Sequence, residues 1–210
     1  MPAQLNPRKS PCQRRSRATV EAILDAAARI LAHEGLGAMN TNRIAETAGV
    51  SIGSLYQYFP NKEAVLAALH ERHGEAMHAL IATEIGEPRP RLADAVRSLV
   101  GAVMRAHLLE PELHRVLETR EPMLLRHDGE DPVHADIRTR AQALLERHRH
   151  ELTLTDLPLA TYMVMNTVEL LVHTAVIDPP AEFSAAQIEQ SIVDLILRYL
   201  TGRAAHESAP

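Results

Sequence analysis

The 210-residue sequence has no tryptophan, a single cysteine and six aromatic residues in all, four Tyr and two Phe. The lone Cys12 excludes an intramolecular disulfide. Glycine is scarce at nine residues, and β-branched residues nowhere alternate for long, so a sheet has little to be built from. Ala, Leu, Glu and Arg are plentiful instead, which predicts an all-α chain. No apolar run reaches the length of a membrane span, and the N-terminal MPAQLNPRKSPCQRRSRA is basic without the apolar core of a signal peptide. The expected location is the cytoplasm. HExxH, Cys/His metal spacings, GxSxG, a Gly-rich phosphate loop and any nucleophile–base spacing are all missing. No enzyme is therefore expected, and no metal or other cofactor.

What is present is distributed unevenly. An apolar content of 46% is enough for a core, and the net charge is -5. Residues 1–62 carry eight Lys/Arg against four acids, a balance of +4, while the remainder stands at -9. A basic head on an acidic body suits nucleic-acid contact confined to one end. A basic tail on an ordinary acidic protein would give the same imbalance.

The stretch from Thr41 to Leu66, TNRIAETAGVSIGSLYQYFPNKEAVL, separates those readings. Ile44, Ala45, Ala48 and Val50 give a first short helix and its turn an apolar inner side. Gly49 can take the φ > 0 conformation that ends a helix, Asn40 can cap this one, and Ser51 can cap the next. In a helix after Ser51, 100° per residue places Ile52, Leu55, Tyr56 and Phe59 on one side as core. Gly53, Ser54, Gln57 and Tyr58 fall on the other, with no acid among them. Upstream, Val20, Ile23, Leu24, Ala27, Ile30 and Leu31 form a helical stripe over about Arg17 to His33, ended by Gly35. Three helices sharing one apolar side make a helix-turn-helix domain, and the polar side of the third has the layout of a helix that lies in a DNA major groove.

These residues resemble the TetR family of transcriptional regulators. The match consists of Ile44-Ala45, Ala48-Gly49-Val50-Ser51, Leu55-Tyr56-Gln57-Tyr58-Phe59 and Lys62-Glu63-Ala64-Val65-Leu66, and covers residues 17–67, about a quarter of the chain. The resemblance implies a DNA-backbone contact from Ser54, phosphate or base-methyl contacts from Tyr56 and Tyr58, and a phosphate contact from Lys62. Gln57 stands at the variable position and is the leading base reader, since its amide can pair bidentately with adenine. Ile52 replaces what is often a polar or basic residue, and a thymine methyl would suit it. Asn42 and Arg43 can add contacts from the second helix, and Gly53 lies within the same face.

The expected organisation is a basic arm over 1–16, a helix-turn-helix domain over 17–62, a helical effector-binding and dimerisation domain over 63–203, and a tail over 204–210. The arm either adds phosphate or minor-groove contacts or is a leader with no single role. A long helix capped by Asn61 should reach about Ile85, where Gly86-Glu87-Pro88-Arg89-Pro90 stops it. Further helices are expected over about Arg91 to Leu109, from Pro111 to just before Pro122, and from Pro132 to His148. The last two are expected over Leu157 to Ile177 and about Ser184 to Thr201. The final one, Ile192 to Leu200, reads as apolar on nearly all sides, so a two-fold four-helix seam is expected. Its residues would be Val164, Val168, Leu171, Ala175, Ile188, Ile192, Leu195, Ile196 and Tyr199. The resemblance implies the same homodimer, reading a palindromic operator on double-stranded DNA.

Twelve histidines invite a metal reading, yet without matching Cys or Asp partners they read as surface or interhelical hydrogen-bonding groups. The body better suits a pocket for a small, largely apolar effector, lined by Met104, His107, Met123, Leu124, Tyr162, Met165, Asn166, Glu169 and His173. Glu169, a carboxylate on a largely apolar helix, needs a partner: His173 one turn on, or a cationic ligand. The expectation is a ligand-released repressor. The alternative is a helical ligand- or metal-binding protein without regulatory DNA binding.

Overall fold

The computed structural model of the chain describes residues 14–111, 113–115 and 132–202, and every regular element among them is helical. The arm up to residue 13, with Cys12, the stretch from 116 to 131 with Met123 and Leu124, and the tail from 203 lie outside the described residues. Backbone contacts divide the chain into two compact units, residues 1–74 with 112–126, and residues 75–111 with 127–210.

The first unit is built on α1 (Arg14–Glu34). Ile23, Leu24, Ala27, Ile30 and Leu31 are buried as their spacing predicts. Gly35, at φ +76°, ends the helix by returning its N–H to the carbonyls of Ile30 and Leu31. A 3₁₀ turn (Leu36–Ala38) leads to α2 (Thr41–Ala48), α3 (Ile52–Tyr58) and α4 (Lys62–Gly86). Asn61 caps α4 by accepting from the Ala64 N–H at 2.7 Å. Ala64, Val65, Leu66 and Leu69 join the same core as Ile23, Ile44, Leu55 and Phe59. That burial carries the compact unit to Gly74, past the expected division at residue 62. Arg72 ties this half of α4 to α1, donating to Asp25 at 2.7 Å and Glu21 at 3.1 Å. Partial burial disfavours its charge, but the two carboxylates outweigh that and hold its pKa above the usual value.

The second unit holds the rest of α4 with α5 (Leu92–His107), α6 (Pro132–Arg147), α7 (Leu157–Ile177) and α8 (Ala185–Thr201). Its core joins Ile81 and Ile85 to Val96, Val100 and Val103 of α5, Leu144 and Leu145 of α6, Val164 and Val168 of α7, and Ile192 and Ile196 of α8. Caps fix the helix ends. Asp156 accepts from the Leu159 N–H, and Ser184 and Gln187 form a reciprocal capping box. Glu151, on the 3₁₀ turn Arg149–Glu151, accepts from the Leu92 N–H at 2.9 Å and so caps α5 from far along the chain.

Glu84, near the end of α4, accepts from Ser98 at 2.7 Å and pairs with Arg89 and Arg105. The Ser98 hydrogen bond, aided by the two guanidinium charges, depresses its pKa below the ordinary 4.5 despite some desolvation. A depressed carboxylate stabilises the fold above its unfolded pKa, and that stability is lost as pH falls through the folded value. Glu84→Gln is therefore expected to melt below the parent at pH 7, with the gap closing as pH drops below the ordinary glutamate range. Thermal melts of both proteins from pH 7 to pH 3 check this, and a gap independent of pH would sink it.

One expectation about composition is corrected. α7 is, by length and composition, apolar enough to cross a membrane, with a mean hydropathy of 1.3 over its best window and 28% of that window buried. Its interior polar residues, Thr161, Asn166, Glu169 and His173, hid it from a search for an unbroken apolar run.

Candidate nucleic-acid interface

The turn between α2 and α3 forms as its residues dictate. Asn40 Oδ1 accepts from the Arg43 N–H at 2.9 Å. Gly49 adopts the left-handed conformation (φ 66°, ψ 29°), a cost any side chain would raise, and the Val50 N–H returns to the Ala45 carbonyl at 3.0 Å. Ser51 Oγ accepts from the Ser54 N–H at 3.1 Å, opening α3 in a new direction.

The rotation of α3 differs from the expected one. Leu55 and Phe59 are buried, but Ile52 is 38% and Tyr56 41% exposed, while Tyr58 packs partly against the core. The buried arc centres between Leu55 and Phe59, so Ile52 and Tyr56, assigned to the core side, turn outward beside Gly53 and Gln57. Tyr58 turns inward. The exposed face is therefore Ile52, Gly53, Tyr56 and Gln57, still without an acid.

Neighbouring side chains fix parts of this face. The Tyr56 hydroxyl lies 3.1 Å from Thr41 Oγ1 at the start of α2. The Ser54 hydroxyl lies 2.8 Å from Ser51 Oγ. Arg43 is turned toward acids of its own unit, Glu34 at 3.3 Å and Glu46 at 3.5 Å, and the Glu34 hydrogen bond and charge, with Glu46 behind them, raise its pKa. Asn42 is exposed and Lys62 half-buried. Asn40, Thr41, Tyr56, Pro60, Asn61, Lys62 and Glu63 line an open depression of about 300 Å³ at the N-terminus of α4. A helix N-terminus with a lysine and two hydroxyls beside it suits a phosphate. Thr41 and Pro60 were not anticipated. Thr41 sits fifteen residues from Tyr56, and only the α2–α3 crossing brings them together.

In the second unit, the expected pocket residues divide between buried, half-buried and outward positions, with His107, Glu169 and His173 close together. Met104 and His107 are buried on α5, Met165 and His173 are half-buried on α7, and Tyr162 and Asn166 face outward, Asn166 donating to the Tyr162 carbonyl. Glu169 meets His107 of α5 at 3.2 Å, across the core from its own helix. The expected seam residues also divide. Val164, Val168, Ile192 and Ile196 are enclosed in the unit's own core and cannot form a surface, whereas Leu171 and Leu195 are exposed and Ala175, Ile188 and Tyr199 half-buried. The final helix is thus largely satisfied by its own chain. Among the described residues, a large exposed apolar surface lies instead on α7, where Leu159, Tyr162, Met163 and Leu170 join Leu171, with Leu170 65% and Tyr162 59% exposed. The i, i+3, i+4 series is present in the sequence, where the expected seam lies instead on the face of Val164 and Val168.

Comparison with known proteins decides the family. The signature of bacterial regulatory proteins of the tetR family matches residues 23–69, and that of the tetracyclin repressor-like C-terminal domain matches residues 91–200, more than half the chain by itself. The chain belongs to the TetR family. This is a family of regulators and not of enzymes. Among curated TetR relatives, the HTH-type transcriptional repressor KstR of Mycolicibacterium smegmatis is 35% identical over 96 residues, 44% of this chain and 47% of KstR. The fatty acid metabolism regulator protein of Bacillus subtilis is 43% identical over 47 residues, 22% of this chain and 24% of that protein. The chain thus spans about half the length, or less, of these curated relatives. Solved TetR structures cover more. SmeT, the repressor of the Stenotrophomonas maltophilia multidrug efflux pump SmeDEF, matches with a TM-score of 0.64 at 26% identity over 93% of this chain and 97% of its own. The fatty acid degradation regulator FadR of Bacillus halodurans shares the fold, with a TM-score of 0.65 at 21% identity over 90% of this chain and 96% of its own.

Proposed function

We propose that the protein is a homodimeric, cytoplasmic transcriptional repressor that places α3 of each chain in successive major grooves of a palindromic operator. The observation that carries the reading is the acid-free face Ile52, Gly53, Tyr56 and Gln57, flanked by the depression at Lys62. Ile52 and Tyr56 are large apolar groups held in water by a rigid turn, an arrangement that favours a partner. Among the described residues, a Cβ on Gly53 would meet only Ser51 Oγ, at an ordinary 3.9 Å. Gly53 lies in the first turn of α3, and its missing side chain leaves room for close approach of a DNA backbone. Lys62, Tyr56, Thr41 and the α4 N-terminus hold phosphates. Gln57 reads a base edge, Ile52 contacts a methyl, and Asn42 and Ser54 add contacts beside them. Tyr58 supports the face from beneath, and Arg43 reaches DNA only by leaving Glu34.

Two copies join through the apolar face of α7, with Leu195 and the half-buried Ile188, Ala175 and Tyr199 at its margin. Names of relatives support the repressor reading, KstR and SmeT among them. A small, largely apolar effector would bind beside Met104 and Met165, with His107, Glu169 and His173 at the polar end. It would favour a body conformation whose two heads no longer fit one operator, a shift in populations.

DNA selected from a random pool, then measured by mobility shift against salt, tests the reading. Lys62→Ala is expected to weaken binding to all sequences alike and to lower the salt slope by about one. Gln57→Ala is expected to relax choice at one base pair, worth about 1–3 kcal/mol, and to leave the slope unchanged. Equal losses on every sequence from both changes would contradict the role of Gln57, and a salt-independent interaction would contradict DNA binding itself.

A further inference from the structure

We infer that His107, Glu169 and His173 form a binding site for one divalent transition-metal ion of the zinc class. His107 ends α5 fully buried, and its Nδ1 lies 2.9 Å from the Val103 carbonyl. A carbonyl oxygen only accepts, so Nδ1 carries a proton, and in the neutral ring Nε2 presents its lone pair. Metal-binding histidines are held this way, one ring nitrogen donating to a backbone carbonyl so that the other is aimed and made more basic. Nε2 faces Glu169 Oε1 at 3.2 Å. A carboxylate oxygen and a ring nitrogen that close share a cation, a proton in an ion pair or a metal ion, and the spacing suits either. Zinc bonds of 2.0–2.2 Å at tetrahedral angles separate neighbouring ligand atoms by roughly 3.3–3.5 Å.

His173 supplies the third ligand. It stands one turn beyond Glu169 on α7, so both side chains leave the helix on one side. A ring nitrogen of His173 lies within 4.8 Å of one of His107, and the two rings meet edge to face with centroids 6.0 Å apart. A rotamer adjustment of the half-buried His173 closes the remaining gap. Glu169 is 56% exposed along its side chain, which gives the ion a path from solvent and leaves room for a water as fourth ligand. Two imidazoles and one carboxylate favour zinc, cobalt, nickel or copper over magnesium or calcium, whose preferred shells are all oxygen. The site stands whether or not an organic effector also binds, and it does not depend on the DNA reading.

The full-length protein, stripped with chelator and titrated with Co(II) as the spectroscopic probe, tests the inference. Visible ligand-field absorption is expected to saturate at one ion per chain and to be abolished by one equivalent of Zn(II). Glu169→Gln and His173→Gln are each expected to weaken binding by at least about a hundredfold, the upper end of what losing an outer-shell partner costs. Both positions reach the surface, so the stripped variants should keep the parent's helical circular dichroism; this avoids reliance on a change at buried His107. Failure of the parent to saturate at one ion per chain would overturn the site, as would unchanged Co(II) affinity in the double variant Glu169→Gln/His173→Gln.

Discussion

Leu170→Glu is expected to convert the protein to monomers and to reduce operator affinity by more than about a hundredfold. Leu170 is the most exposed large apolar side chain among the described residues, so removing it disturbs nothing inside its own unit. In the proposed dimer it is buried, and by two-fold symmetry it is buried twice. Each leucine then contributes about 1.5–3 kcal/mol. Each glutamate in its place brings a further desolvation cost of several kcal/mol without a cationic partner. Together these exceed the roughly 4 kcal/mol that separates a nanomolar dimer from a micromolar one. Affinity for a palindrome drops in turn, because a monomer reads only one half-site. Sedimentation equilibrium gives the first number and mobility shift the second. An unchanged melting temperature at a concentration where both proteins are monomeric would confirm that the fold is untouched. A Leu170→Glu protein that remained dimeric would move the seam away from α7.

Phe59→Ala should produce the largest loss of stability of any single change in the DNA-facing unit, about 3–5 kcal/mol. The ring is 1% exposed and lies among Ile23, Ile44, Leu55 and Val65, so its removal leaves a cavity that three helices would have to move to fill. Phe59 is among the largest fully buried side chains of that core, and a loss of that size is a large share of a small domain's stability. DNA binding is expected to disappear at 37 °C while α7 and α8 stay helical. Hydrogen exchange resolved by peptide reads both results at once, with protection lost over residues 20–31 and 52–69 and retained over 157–200. Simultaneous loss over both ranges would mean that the two units unfold as one cooperative block.

Where the chain's instructions are local, the sequence alone was enough. Gly49 had to be left-handed because the next helix begins three residues later, and Ser51, Asn40 and Asn61 each cap the helix their position announced. The bounds of α7 were legible from Asp156 and Pro158 at one end and Asp178 to Pro180 at the other. What escaped was anything decided across distance. Whether Tyr56 or Tyr58 faces out depends on a rotation of some tens of degrees, set by how Leu55 and Phe59 seat against α1 and α4. The partner of Glu169 lies 62 residues away on α5, and that of Arg43 on the preceding helix. The valines of α7 looked like a seam because apolar periodicity reveals a buried stripe without saying whose surface buries it. The second, outward stripe was masked by Asn166 and Glu169 interrupting it.

The contact between Thr41 and Tyr56 bears on how quickly and how selectively the protein finds its site. A tyrosine free to sample its rotamers would lose about 0.5–1.5 kcal/mol of conformational freedom on docking. Here the hydroxyl is already held at 3.1 Å before any DNA arrives. Much of the ordering is thus completed during folding, and in the proposed complex the ring would meet the groove as part of a rigid surface. A rigid surface tolerates fewer alternative fits, so the same bond that favours the right sequence also shortens the time spent on wrong ones.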